Sequence, residues 1–117
     1  MTDLIINLTD SVGLKHLGSL VEKNEWDNIF ILTNEEMMSK FNPNKEVNMV
    51  LINSKQPTEK ITQDILKFLK GQIKGFEVAV NFFSGSGKEH MALVSALIKM
   101  GLGFRLVKQG KDEFEEV

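Results

Sequence analysis

The chain has 117 residues, 42% hydrophobic and 26% charged, with a net charge of −2, two histidines and no cysteine. Those proportions suit one globular domain with its own core, and they exclude disulfide staples and thiolate chemistry. The slight acidic balance argues against duplex DNA as a partner, and two histidines with carboxylates alone are a poor basis for a metal site, so none is expected.

Residues 4–8 (LIINL) form a short apolar run that reads as a strand. It ends at Thr9-Asp10-Ser11, where Asp10 is expected to cap a helix. Leu14, Leu17, Leu20 and Val21 then recur at helical spacing, with His16 on the surface of that helix. Residues 28–32 (NIFIL) are a second strand. In Thr33-Asn34-Glu35-Glu36, Thr33 is expected to cap a brief helix and Glu36 to reciprocate. Residues 47–53 (VNMVLIN) are a third strand, and Pro57 opens the next helix. Its Ile61, Ile65, Phe68, Leu69 and Ile73 share one stripe, and the lysines between Lys60 and Lys74 read as a solvated face. Residues 76–83 (FEVAVNFF) are a fourth strand, followed by Ser84-Gly85-Ser86-Gly87 and a helix from Lys88 to Met100. Residues 104–107 are a fifth strand, and residues 109–117 read as a frayed polar tail. Trp26 and the eight phenylalanines lack basic interleaving, and most are expected in the core.

Strict alternation of short apolar strands with helices predicts one α/β domain over residues 1–117, Rossmann-like, with five mostly parallel strands and helices on both faces. Ligands of such sheets bind beyond the carboxyl ends of the strands where strand order reverses, so the turns at residues 9–13 and 84–88 are expected side by side.

The segment from Asn81 to His90 carries the most chemistry. Gly85 and Gly87 permit close backbone approach, the helix start offers free N–H groups, and Ser84, Ser86, Lys88 and His90 add polar contacts. Together these make a phosphate or polar-nucleotide cradle. A Walker A loop would need Gly at Phe82 and Ser or Thr at Glu89, and a dinucleotide fingerprint would need Gly at His90, so neither motif is present. A structural account competes: Ser86 and Glu89 form a capping box, and Glu89 would oppose a phosphate. No catalytic triad or acid–base pair is evident, and no cofactor is expected.

The stretch from Asn81 to Ala96 resembles the CRISPR-associated Rossmann-fold (CARF) family. Asn81 ends the strand, Ser84, Gly85, Ser86 and Gly87 form the small-residue loop, Lys88 follows, and Met91 and Ala92 open the helix. The turn Thr9-Asp10-Ser11-Val12-Gly13 matches the small-residue turn after the first strand of that family. The loop is longer here than the commonest family form, and these 117 residues include no nuclease or winged-helix domain. The resemblance implies a sensor of cyclic oligoadenylate, stand-alone or part of a larger protein, acting as a homodimer and in some members cleaving its ligand slowly. Thr9, Asp10, Ser11 and Gly13 with Ser84 to Lys88 and His90 would then contact the ligand. If a ring were cut, substrate-assisted attack by a ribose 2′-hydroxyl would need no strong base. The competing expectation is a non-catalytic assembly module on the same scaffold. No apolar run is long enough to span a bilayer and the start carries no basic leader, so no membrane and a cytoplasmic place are expected.

Overall fold

A strand apolar on both faces must be covered on both sides, and the first two strands have that character. In the computed structural model, which describes residues 2–117, β1 (Asp3–Leu8) and β2 (Ile29–Thr33) are buried at every position. Helix α1 (Leu14–Glu22) joins them, and α2 (Glu35–Met38) leads to β3 (Asn48–Leu51). Then come α3 (Thr58–Leu69), β4 (Glu77–Asn81), α4 (Gly87–Lys99), β5 (Gly103–Gln109) and β6 (Phe114–Glu116). The sheet runs β3-β2-β1-β4-β5-β6. Its first five strands are mutually parallel, and β6 is antiparallel to β5.

Side-chain alternation divides the core into two layers. Ile5, Phe30, Leu32, Val78 and Val80 pack under α3 and α4 with Ile61, Ile65, Leu93 and Leu97. Leu4, Ile6, Leu8, Ile29 and Ile31 pack on the other face with Leu17, Leu20 and Val21 of α1 and Met37 of α2. Truncating any one of these fully buried leucines to alanine would cost about 2–5 kcal/mol.

Three expectations change. The sheet has six strands rather than five, because the polar stretch expected to fray contains β6. Phe114 lies against Trp26 with ring centroids 4.8 Å apart, and its N–H donates to Asn24 Oδ1 at 2.9 Å, so one aromatic anchors an otherwise acidic segment. Asn34, not Thr33, caps α2, accepting the Met37 N–H at 2.9 Å; Thr33 stays in the buried strand. Four of the eight phenylalanines are exposed, among them Phe76 at 90%.

Candidate functional site

Strand order reverses between β1 and β4, since β1 leads to β2 on one side and β4 to β5 on the other. The turns that leave these two strands are pinned together by Ser84. Its buried hydroxyl accepts the N–H groups of Thr9 and Asp10, each at 3.1 Å, and lies 2.9 Å from Asp10 Oδ1, to which it donates. Asn7 Nδ2 donates to the Ser84 carbonyl at 3.0 Å and to the Thr9 hydroxyl at 3.2 Å. Asp10 completes the pin, accepting the Gly85 N–H at 3.1 Å on Oδ2 and the Val12 N–H at 3.0 Å on Oδ1. Asp10 is therefore not the cap of α1: Gly13, left-handed at φ 73°, holds that position without a side-chain bond.

Glu89 occupies the middle of the arrangement and is 4% exposed. Its Oε1 accepts from the Thr9 hydroxyl and the Ser86 N–H, both at 2.7 Å, which closes the capping box expected from the sequence. Its Oε2 accepts from the Ser54 hydroxyl, on the loop after β3. Burial works to raise the pKa of Glu89, but the hydroxyls of Ser54 and Thr9 and the N–H of Ser86 outweigh it and hold the carboxyl below its ordinary value. Burial likewise opposes ionisation of Asp10, and the Val12 N–H, the Ser84 hydroxyl, the Gly85 N–H and nearby His90 overcome it. A carboxylate of the chain itself thus sits at the positive end of α4, where a phosphate was anticipated. Gly85 serves this interior. At φ 96° a Cβ there would fall 2.1 Å from Asn7 Nδ2 and 2.7 Å from Glu89 Oε1, so side-chain packing, not ligand approach, demands glycine.

What faces outward is a smaller set. Ser11, Ser86 and Gly87 are exposed, and the N–H groups of Gly87 and Lys88 in the first turn of α4 carry no partner among the described residues. Lys88 Nζ donates to the Ser54 carbonyl at 2.9 Å. His90 Nε2 lies 2.7 Å from the Ser84 carbonyl, so that nitrogen carries the proton, and its ring stacks on Phe82. Asn7 Oδ1 is buried and unpaired. His16 is not a surface residue: it stacks on Phe83 at 4.3 Å and accepts the Gln109 N–H at 3.2 Å. Burial, and then the nearby Lys108, lower its pKa.

Of the ten anticipated residues, the structure joins Thr9, Asp10, Ser84, Gly85, Ser86, Lys88 and His90 in one hydrogen-bonded region and adds Asn7, Ser54 and Glu89 to it. Asn7 had a signal, because a polar residue inside a buried apolar run needs partners; Ser54 had none. No group of three metal-ligating side chains is found among the described residues, and no helix among them is long and apolar enough to cross a membrane. The chain matches no protein-family model, no curated protein and no solved structure. Glu89 is ringed by donors, Asp10 Oδ2 accepts only the Gly85 N–H and keeps acceptor capacity, and His90 is bonded to backbone, so the arrangement orients donors and acceptors around one partly open carboxylate.

Proposed function

We propose that this domain senses a nucleotide of the cyclic oligoadenylate type at the carboxyl end of its sheet, where the turns after β1 and β4 meet. The observation that carries the reading is the Ser84 pin, which rigidly joins two turns at the reversal of strand order, the place where open α/β sheets take ligands. Resemblance over Asn81 to Ala96 supplies the ligand class. The available groups suit a nucleotide better than a bare phosphate. Free N–H groups at Gly87 and Lys88 would take a phosphate oxygen, while the Asp10 carboxylate and the hydroxyls of Ser11 and Ser86 would meet ribose hydroxyls or an adenine amine. A homodimer belongs to the same reading, because Met91 and Ile98 of α4 are 66% and 65% exposed on one face.

The same exposed residues favour a second reading, a non-catalytic assembly module. Thermal shift and calorimetry with cyclic tetra- and hexa-adenylate, against AMP and inorganic phosphate, separate the two. Ligand at 100 times its dissociation constant should stabilise the domain by about 2.7 kcal/mol. Unchanged melting with every nucleotide would overturn the sensor reading and leave assembly.

A further inference from the structure

Helices α3 and α4 lie side by side on one face of the sheet, and toward their carboxyl ends a groove of about 830 Å³ opens between them. Leu66, Ile73, Met100 and Leu102 make its floor apolar, and Lys67, Lys70 and Lys99 stand along it. Lys60 also reaches the groove but is bonded to Asp64 at 3.1 Å, whereas these three lysines have no carboxylate partner among the described residues. Residues 65–76 contain no acid. Phe76, whose carbonyl accepts the Gly103 N–H at 2.9 Å next to Leu102, is 90% exposed. Lysines in the last turns of helices complement the helix dipoles, which accounts for Lys67 and Lys99 but not for an apolar floor or a bare phenylalanine. An apolar patch edged with one sign of charge marks a surface for a partner.

We propose that this groove docks an acidic amphipathic segment of another protein, with apolar side chains on the Leu66–Met100 floor and carboxylates against Lys67, Lys70 and Lys99. Charge complementarity sets the sign of the partner. Concavity speaks against a bilayer surface, which cannot follow a groove, and the floor offers no hydrogen bonds to phosphates or base edges. The site lies at the opposite end of the strands from the Ser84 pin and does not depend on the nucleotide reading.

Fluorescence anisotropy with two labelled peptides of one composition, glutamate with leucine and phenylalanine, tests it. One peptide carries its apolar residues at helical spacing and the other scatters them. The spaced peptide should bind at least tenfold more tightly, more weakly as salt rises, and about tenfold more weakly to the Lys67→Glu/Lys70→Glu protein. Lys15→Glu on α1 should change nothing. Equal affinity for both peptides, no effect of the double reversal, or no binding of either peptide would overturn the proposal. Binding of a labelled single-stranded RNA but not the spaced peptide would replace it with a nucleic-acid surface.

Discussion

The Thr9 hydroxyl donates a 2.7 Å hydrogen bond to Glu89 Oε1, tying the end of the first strand to the first turn of the last helix. Buried carboxylates are retained where several donors offset their desolvation, and here two hydroxyls from separate loops and one N–H do so.

Glu89→Gln should lower stability at pH 7 by about 1–3 kcal/mol, measured by urea unfolding, because an amide turns N–H groups toward donors. The pH dependence has a defined sign. The folded pKa lies below the ordinary 4.5, so the carboxylate's contribution is present above that value and is lost as pH falls through the folded one. Wild-type protein should therefore lose stability more steeply below pH 4.5 than Glu89→Gln does. Parallel curves would show that Glu89 has no such role.

Gly85→Ala places a methyl group against Asn7 and Glu89 in a left-handed backbone and should cost at least about 2 kcal/mol. Nothing lies within 4 Å of a Cβ on Gly87, so Gly87→Ala should leave stability equal or raised by up to about 1 kcal/mol. If nucleotides bind at the exposed N–H of Gly87, that variant should lose affinity while keeping its fold. Denaturant midpoints and calorimetry on both variants check the contrast.

Much of the fold was legible because β1, β2 and β4 are short, mainly apolar runs separated by helical periodicity, a pattern with few topologies. The partial misreadings lie where local chemistry is shared among distant segments. Asp10 has the residue type and position of a helix cap, yet its acceptors are taken by Gly85 and Ser84, 75 and 74 residues away. Phe114 sits among acids, and only the fold brings Trp26 beneath it. Glu89 was recognisable as half of a capping box, but its bond to Ser54 depends on how the loop after β3 passes over α4.

His16 accepts the Gln109 N–H on Nε2 and must be neutral there to do so. Its folded pKa is below 6.5, so its contribution is complete above that value and declines as pH falls toward the folded one. Urea midpoints should drop between pH 7 and pH 5 in the wild type, and the drop should shrink in His16→Phe, which keeps a ring on Phe83. An unchanged slope would place the pH response elsewhere.

Lys88→Ala removes a cation from the first turn of α4 and its bond to the Ser54 carbonyl. Loss of one charge-assisted contact should weaken cyclic oligoadenylate roughly 10- to 150-fold. Titration calorimetry giving identical affinity for variant and wild type would show that Lys88 does not meet the ligand.

Met91→Glu/Ile98→Glu changes only residues exposed in the single chain, so circular dichroism should match the wild type. Sedimentation should show a homodimer for the wild type and a monomer for the variant, since two charges on each facing helix oppose one another across a twofold axis. A monomeric wild type at high concentration would remove the dimer from the proposal.

Asn7, Thr9 and Asp10 take their pairing with Ser84 from 77, 75 and 74 residues further along the chain. During synthesis β1 can pair with β2 as soon as both have emerged, while its other edge has no strand until β4 follows. At roughly 5–20 residues per second, the interval from Leu8 to Asn81 lasts about 4–15 s. Through that interval a strand built mainly of Leu4, Ile5, Ile6 and Leu8 offers a free row of backbone groups, the condition under which nascent chains mispair. Insertion of β4 ends this exposure and completes the polar pin in the same step, so the carboxyl end of the sheet is assembled only when the molecule's central strand stops being an edge.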